Sequence, residues 1–309
     1  MTTQPEASPV ATQPETLQLA YIGLGIMGQP MARRLLRAGY PLHLWARRPA
    51  SAATLLNEGA QWAPSVAQLV QRADVLFLNV SDTADVEQLL LGSGGVLENA
   101  RPGLIVIDHS TICPLATRRM AQSLQQGEIT LLDAPVSGGE QGAIHGTLSL
   151  MIGGHATALE RVRPVLAHVG TTLTHVGDVG AGQVAKACNQ MLVAQMLVAV
   201  GETLLLAEAA GVDPAKVRTA LLGGFAYSKI LDVHGQRMLE QQFTPGFKAA
   251  LHRKDMGIVQ DLARELGLFV PGCTLATQYI NAAVGQGWAE QDSSVIAQIQ
   301  HALLPKLPQ

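Results

Sequence analysis

The chain has little cysteine, little charge and no long hydrophobic run. Its three cysteines, Cys113, Cys188 and Cys273, are widely spaced, and no two of them form a C-x-x-C pair. An odd, scattered set argues against a disulfide framework and is typical of a reducing cytoplasm. The nine histidines show no H-E-x-x-H or other metal-ligand spacing. We therefore predict a cytoplasmic protein without a metal site.

Charged residues make up 15% of the chain, below the usual ~25%. The net charge is −3 and the pI about 6.3, so there is no basic excess for binding nucleic acid. The mean hydropathy is +0.21, yet no apolar run reaches the ~18 residues of a membrane span. The most apolar stretch, residues 191–200, contains Gln195, and we predict a helix buried in protein rather than in lipid.

Length and composition outline the organisation of the chain. Residues 1–16 contain three prolines and no Lys or Arg, so we predict a disordered tail and no signal peptide. Hydrophobic residues make up 48% of the chain, which is enough for large cores, and 309 residues suit two domains.

Two different patterns divide the rest of the chain near residue 180. Before it, short apolar runs alternate with helical segments. The predicted strands are 17–22, 42–45, 73–80, 104–108, 129–132 and 148–152, and the predicted helices are 28–38, 51–58, 85–91 and 114–125. After it, the predicted elements are all helices, at 182–210, 214–221, 231–241, 251–266, 274–286 and 293–303. We predict an α/β protein, with a doubly wound, mostly parallel Rossmann domain over 17–180 and an all-α domain over 181–304.

A glycine-rich G-x-G-x-x-G motif directly follows the first predicted strand and opens the first helix. Its residues are Gly23, Leu24, Gly25, Ile26, Met27 and Gly28. In this context the first glycine permits a tight turn, the second lets a pyrophosphate approach the backbone, and the third packs helix against strand. The motif predicts a nicotinamide dinucleotide site, and the alternative is an ordinary glycine-rich turn.

The second predicted strand ends without the usual acidic residue. NAD-binding folds commonly place Asp or Glu there for the ribose 2′-hydroxyl, but no acid lies between Gln29 and Asn57. Arg47 and Arg48 occupy the strand end instead, and a guanidinium fork suits a 2′-phosphate. We predict NADP in preference to NAD, with two solvated surface arginines as the alternative.

Polar groups follow three more strands, where parallel sheets form their ligand crevice. Asn79, Val80 and Thr111 are predicted beside the cofactor, although such residues also serve as helix caps. A Pro- and Gly-rich segment, residues 133–139, is predicted as a loop that ends in Ser137, Gly138 and Gly139. A hydroxyl and open backbone N–H groups suit a carboxylate, and the alternative is a structural turn.

Lys186 and Asn189 are three residues apart near the start of a very apolar helix, so they share one face. Burial would lower the pKa of a lysine towards neutrality, which suits proton transfer. The alternative is a lysine that extends along the surface to water. A second basic cluster, residues 247–255, has the charge pattern of a solvated helix face.

Taken in order, these motifs resemble the β-hydroxyacid dehydrogenase family over residues 17–303. The resemblance implies that Lys186 is the catalytic lysine and that Asn189 contacts the substrate. It further implies that the substrate carboxylate binds to Ser137, Gly138 and Gly139. Two more residues, Thr111 and Lys254, would contact the cofactor. His109 departs from the family pattern, and the sequence assigns it no role.

The resemblance also implies an architecture and a substrate class. The two domains would share a long helix over about 183–210, and subunits would form a homodimer or homotetramer. Residues 223–228 and 243–247 look most like the tartronate semialdehyde (2-hydroxy-3-oxopropionate) reductase branch. The alternatives are 3-hydroxyisobutyrate dehydrogenase and succinate semialdehyde or glyoxylate reductase. Lys186 disfavours the related imine reductases, and a non-catalytic nucleotide sensor is the competing class.

Overall fold

The computed structural model describes residues 17–302, so the predicted tail over 1–16 and the last residue of the helix predicted over 293–303 lie outside it. The strands are β1 Leu19–Ile22, β2 Leu42–Trp45, β3 Gln61–Trp62, β4 Val75–Leu78, β5 Ile105–Asp108, β6 Thr130–Asp133, β7 Val136–Ser137, β8 Leu148–Gly153 and β9 Gly170–Gly177. The helices that accompany them are α1 Gly28–Arg37, α2 Ala53–Asn57, α3 Val66–Val70, α4 Thr83–Leu91, α5 Val96–Asn99, α6 Pro114–Gln125, α7 Gly139–His145 and α8 Ala156–Leu166.

Only helices follow β9 in the described part of the chain. They are α9 Ala181–Ala209, α10 Pro214–Leu222, α11 Lys229–Glu240, α12 Ala249–Glu265, α13 Pro271–Gly285 and α14 Ile296–Ala302. Two 3₁₀ turns, Pro49–Ala52 and Ser293–Val295, precede α2 and α14. The mixed α/β and all-α character predicted from the sequence is confirmed, while the division into two domains at residue 180 stays a prediction.

One sheet contains all of these strands in the order β3-β2-β1-β4-β5-β6-β8-β7, with β9 paired to β8. The strands from β3 to β6 are parallel, and β8 runs antiparallel to β6 and β7. Because β1 lies between β2 and β4, the strand order reverses there. Ligands of doubly wound sheets bind outside the carboxyl ends of the strands at such a point.

Successive residues of the central strands point to opposite faces of the sheet, and a hydrophobic core covers each face. In β1, Leu19 and Tyr21 face the layer that contains α1, and Ala20 and Ile22 face the layer that contains α6. Every residue of β1, β4 and β5 is buried, as expected of parallel strands covered on both sides. This rigid centre fixes the positions of the loops that follow these strands.

The prediction of a single loop over residues 133–139 is wrong. Asp133 ends β6, Ser137 belongs to β7, and Gly139 begins α7. Ser137 pairs with Ser149 of β8, and this non-local pairing overrides the local preference of Pro and Gly for loops. Gly138 has a φ of 137°, which favours glycine at the corner between β7 and α7.

Helix α9 is the one described helix that is long and apolar enough to cross a membrane, with a mean hydropathy of 1.6 over its most apolar window. It packs against α10 to α14 and also against β8 and β9. Protein therefore surrounds much of its length, as the sequence analysis expected. Its first turns lie at the sheet, and this places the residues near its start beside the ends of the strands.

Candidate active site

The glycines of the G-x-G-x-x-G motif meet different local demands. A Cβ on Gly23, whose φ is +102°, would lie 2.0 Å from the carbonyl oxygen of Asn79, and one on Gly28 would lie 1.8 Å from that of Gly23. A Cβ on Gly25 would meet nothing within 4 Å. Gly23 and Gly28 are thus required by the fold, whereas the exposed backbone at Gly25 is open. This arrangement fits the pyrophosphate of a dinucleotide.

The other motif residues lie between these glycines: Leu24, Ile26 and Met27. Asn79 and Val80, predicted to contact the cofactor, lie directly beside the motif. The Asn79 N–H donates to the Ile22 carbonyl at 2.9 Å, and the Val80 N–H donates to the Ser110 hydroxyl at 2.9 Å. These bonds join the ends of β1, β4 and β5 into one surface.

Arg47 does not stand free at the end of β2. Its guanidinium donates to both carboxylate oxygens of Asp85 in α4, at 2.9 and 3.2 Å, and its side chain remains 70% exposed. This acid is not visible near the strand end in the sequence, because Asp85 lies 38 residues further along the chain. Arg48 is exposed, and its carbonyl accepts a hydrogen bond from Ser51. The two arginines are adjacent at the edge of the motif, and Arg47 is already paired.

Side chains of two helices, α9 and α12, form hydrogen bonds with the loop after β5. The side-chain amide of Gln183 in α9 accepts from the Ile112 N–H at 3.0 Å and donates to the Ser110 carbonyl at 2.8 Å. Between these two positions, the Lys254 ammonium of α12 donates to the Thr111 carbonyl. Thr111 and Lys254, predicted separately as cofactor contacts, are thus brought together. Lys254 is only 27% exposed, which argues against a solvated charge.

Lys186 is buried, with 8% of its surface exposed. Its ammonium donates to the carbonyl oxygen of Val136 at 2.9 Å, so it lies beside the Ser137–Gly139 corner. Burial lowers the pKa of Lys186 to about 8; Asp255 opposes this shift and Lys254 adds to it. The side chain points into the protein rather than to water, contrary to the surface alternative.

Asn189 is half-buried and belongs to a chain of hydrogen-bonded side chains next to Lys186. Its amide donates to the Gln190 side-chain oxygen at 2.8 Å, and Gln190 donates to a carboxylate oxygen of Asp255 at 2.6 Å. The ammonium of Lys254 lies 2.9 Å from the other oxygen of Asp255. Gln183 and Gln190 were not among the residues predicted for the site. The available signal was polar residues spaced three and four apart on an apolar helix, which mark one buried face.

Asp133 fixes the start of α9. One carboxylate oxygen accepts from the Gly180 N–H at 2.7 Å, and the other accepts from the Gln183 N–H at 2.8 Å. Burial raises the pKa of Asp133 to about 6, against the effect of these hydrogen bonds. A Cβ on Gly182 would lie 2.5 Å from the Asp133 carbonyl, so the second residue of α9 must be glycine for the helix to approach β6 so closely. Lys186 follows one turn later.

The motifs, the buried lysine and the fold can now be compared with known proteins. Residues 18–177 match the family described as the NAD binding domain of 6-phosphogluconate dehydrogenase. Residues 180–299 match the family described as NAD-binding of NADP-dependent 3-hydroxyisobutyrate dehydrogenase. The chain belongs to the β-hydroxyacid dehydrogenase family. It is therefore an NAD(P)-dependent enzyme that acts on CH–OH groups, and the sensor alternative is not supported.

Relatives of this dehydrogenase cover nearly its whole length. The 2-hydroxy-3-oxopropionate reductase of Escherichia coli K12 is 43% identical over 282 residues, which is 91% of this chain and 96% of that protein. The NAD-dependent L-serine dehydrogenase of Pseudomonas aeruginosa is 37% identical over 290 residues, 91% of this chain and 97% of that one. The Mycobacterium tuberculosis 3-hydroxyisobutyrate dehydrogenase structure with L-serine has a TM-score of 0.85 at 30% identity, covering 92% of this chain and 99% of that one.

His109, to which the sequence assigned no role, is a buried structural residue of this dehydrogenase. Its Nδ1 lies 2.6 Å from the Ala134 carbonyl, which can only accept, so Nδ1 carries the proton. Burial lowers the pKa of His109 to about 4, and the neutral ring stacks on Phe77 with centroids 5.7 Å apart. The preceding Asp108 accepts from the Ser110 N–H at 2.9 Å, which supports the start of the same loop.

Proposed function

We propose that this dehydrogenase reduces a short carboxylic acid semialdehyde to its β-hydroxy acid with NADPH, and that 2-hydroxy-3-oxopropionate is the substrate. One observation carries the proposal. Lys186, a buried amine with a lowered pKa, lies next to Ser137 and one turn of α9 after Gln183, which binds the loop after β5. The relative named for 2-hydroxy-3-oxopropionate, at 43% identity, supports the choice of substrate within the family.

The cofactor would lie along the carboxyl ends of β1, β2, β4 and β5. The open backbone at Gly25 would receive the pyrophosphate, and Arg47 and Arg48 would face the 2′-phosphate. Thr111 and Lys254 would contact the nicotinamide half. The nicotinamide supplies the hydride, and the chain supplies position and charge.

Ser137, Gly138 and Gly139 would bind the carboxylate of the substrate. Ser137 brings a hydroxyl, and the two glycines are exposed and carry positive φ values of 137° and 63°. A corner of this kind lets backbone N–H groups reach an anion without interference from side chains. The site would thus select acids that carry an aldehyde close to the carboxylate.

Lys186 would donate the proton. Its ammonium has three N–H bonds, and the Val136 carbonyl takes one of them, so two remain for the substrate oxygen and a neighbour. Asn189, one turn later on the same face, would orient the reacting oxygen. In the oxidative direction the neutral amine would accept the proton. A pKa of about 8 allows both forms to be populated near neutral pH.

Large apolar side chains on the surface of the helical region support a homodimer or homotetramer. Leu192 and Leu206 on α9 are 54% and 71% exposed, and Leu275 on α13 is 55% exposed. Homo-oligomers bury exposed apolar side chains of this kind between their subunits. We propose that a second copy covers this surface, that the region after residue 180 forms a separate all-α domain, and that the enzyme works in the cytoplasm.

The test follows NADPH oxidation on a panel of aldehydes. 2-Hydroxy-3-oxopropionate, succinate semialdehyde and methylmalonate semialdehyde carry a carboxylate, and propanal is the matched aldehyde without one. We expect the first to give the highest kcat/KM and propanal to lose at least roughly 10²-fold, because the carboxylate donors would stay unpaired. Ser137→Ala should reduce the ratio of kcat/KM between 2-hydroxy-3-oxopropionate and propanal. Comparable efficiency on propanal would contradict the carboxylate site.

A further inference from the structure

Both polar atoms of the Gln183 side-chain amide form hydrogen bonds with one short loop. Its oxygen accepts from the Ile112 N–H and its nitrogen donates to the Ser110 carbonyl, at 3.0 and 2.8 Å. Only 1% of the residue is exposed. Since both ends of the amide are satisfied within a three-residue segment, Gln183 fixes the orientation of this segment as well as its distance from α9.

The same loop is fixed at its middle and connected to the glycine motif. Lys254 binds the Thr111 carbonyl, and the Ser110 hydroxyl accepts from the Val80 N–H. The loop over residues 110–112 therefore lies between the ends of the sheet and the helices that follow it. We call these three residues the clamped loop.

Gln183 and Lys186 are related by one turn of α9. Their side chains project from the same face, and their backbone is held in a single rigid helix whose first N–H groups are capped by Asp133. Any displacement of the clamped loop relative to Gln183 is thus a displacement relative to Lys186. No described bond connects Lys186 itself to the clamped loop, so Gln183 provides the short link between them within this helix.

We propose that Gln183 is a positioning residue that sets the clamped loop, and with it the nicotinamide half of the cofactor, relative to the proton donor Lys186. This inference rests on the function proposed above for Lys186 and Thr111. Proton and hydride must reach the same carbonyl group, so an error in their relative placement slows the reaction without removing any reacting group. A displacement of about 1 Å can cost about 10²-fold in rate.

A purely structural role for Gln183 predicts a different result. Hydrogen bonds that only join two parts of the protein would contribute to the free energy of unfolding, and the folded fraction of a variant would keep its kcat. Loss of Gln183 and loss of Lys186 would then act independently. Non-additive effects of the two substitutions on kcat would therefore distinguish a positioning role from a purely structural one.

The experiment compares two substitutions of Gln183 with a matched control. Gln183→Met removes both hydrogen bonds at similar volume, and Gln183→Glu keeps the acceptor for Ile112 but loses the donor to Ser110. Gln300→Met is the control, because Gln300 is also buried, at 4% exposure, and donates only to the Val198 carbonyl at 3.0 Å. For each protein we would measure kcat, KM, the Kd for NADPH, Tm and amide hydrogen exchange over the clamped loop.

We expect Gln183→Met to lower kcat by about 10–100-fold while the KM for the aldehyde changes much less. Exchange of the Ile112 amide should become faster, because it loses its acceptor, and Gln183→Glu should retain part of its protection. Gln300→Met should leave kcat and this exchange unchanged. In a Lys186→Ala background, Gln183→Met should cost far less than in the unmodified enzyme.

Several results would overturn the proposal. An unchanged kcat in folded Gln183→Met would show that Gln183 has only a structural role. The same conclusion would follow if the fold-losses of kcat in the two single variants multiplied to give the loss in the double variant. Failure of both Gln183 variants to fold would assign the residue to folding alone. If the unmodified protein reduces no semialdehyde, the proposed function fails by itself. Unchanged Ile112 exchange in Gln183→Met would overturn the positioning proposal whatever the substrate.

Discussion

The ammonium of Lys186 lies 2.9 Å from the carbonyl oxygen of Val136, the residue directly before Ser137. A carbonyl accepts one hydrogen bond from the ammonium and orients it, but it does not neutralise the charge as a carboxylate would. Burial can therefore lower the pKa of Lys186 to about 8 even though Asp255 opposes the shift. The contact joins the proposed proton donor, whose pKa is lowered to about 8, to the corner proposed to bind carboxylate.

Substitution of Lys186 tests its proton transfer. Lys186→Ala should lower kcat by roughly 10²–10⁴-fold, the usual contribution of a positioned acid or base. Lys186→Arg should be nearly as inactive, because a guanidinium hardly releases its proton. The Kd for NADPH and the Tm should change little. Lys216→Ala, on the exposed surface of α10, is the control and should keep full turnover. If Lys186→Ala retains most of its turnover, another group donates the proton.

The pH dependence should have opposite signs in the two directions. Reduction requires protonated Lys186, so its kcat should fall as the pH rises through about 8. Oxidation requires the neutral amine, so its kcat should rise through the same pH. Initial rates in both directions, at saturating cofactor, measure these profiles. Two profiles that fall together would contradict the assignment, because a single acid–base group must act in reverse senses.

Gly25 and Gly23 of the G-x-G-x-x-G motif should respond differently to alanine. Gly25→Ala should fold normally, because its Cβ meets nothing within 4 Å, but should weaken NADPH binding where the pyrophosphate approaches. Gly23→Ala should lower the Tm, since its Cβ would lie 2.0 Å from the Asn79 carbonyl. Gly285→Ala, in open space at the end of α13, is the control and should neither weaken NADPH binding nor lower the Tm. Unchanged NADPH affinity in Gly25→Ala would argue against this position for the cofactor.

Burial of Asp108 should make stability depend on pH. Burial raises the pKa of Asp108 to about 7 from an ordinary value of 3.8, so the folded state holds its proton more tightly than the unfolded state. The stability gained in this way is complete below pH 3.8 and is lost as the pH rises through about 7. Asp108→Asn keeps the acceptor for Ser110 and cannot ionise. Its Tm relative to the unmodified protein should therefore rise between pH 4 and pH 8, and a constant difference would contradict the shift.

Periodicity predicted several of the elements whose burial repeats along the chain, although it missed the amphipathic helix α8. The buried strands β1, β4 and β5 and the long apolar helix α9 were all located, because each is specified by its own residues. The short strand β3 and the half-buried β7 were missed, and so was the largely exposed β9, because each is defined by its neighbour in the sheet. Their formation depends on pairing that local sequence does not encode.

The same limit applies to the site. Residue type and spacing located Lys186 and the motif glycines, and the structure shows the burial of Lys186 and the close packing at Gly23 and Gly28. Their roles in proton transfer and cofactor binding stay predictions. The contacts of Asp133 and Gln183 could not be predicted, because each binds backbone groups at least 47 residues away. The ion pair of Arg47 with Asp85 was missed for the same reason. Polar residues that act through tertiary hydrogen bonds leave only a weak pattern in a single sequence.

That ion pair sets the last prediction, which concerns cofactor preference. A 2′-phosphate must compete with Asp85 for the guanidinium of Arg47, whereas Arg48 has no such partner among the described ion pairs. An exposed pair of this kind contributes only ~0.2–1 kcal/mol, so Asp85→Asn should tighten NADPH binding by no more than about fivefold. NADH binding should not change, because NADH lacks the phosphate.

Loss of both Arg47 and Arg48 should have the larger effect and the opposite sign. The double alanine variant should weaken NADPH strongly and NADH little, as measured by fluorescence titration of each cofactor. Asp261→Asn, which frees the exposed Arg264 on α12 in the same way, is the matched control and should affect neither cofactor. Equal weakening of NADPH and NADH in the double variant would mean that the arginines support the fold of the loop. Better turnover with NADH in the unmodified enzyme would show that the pair with Asp85 outcompetes the phosphate, and the preference would then be for NAD.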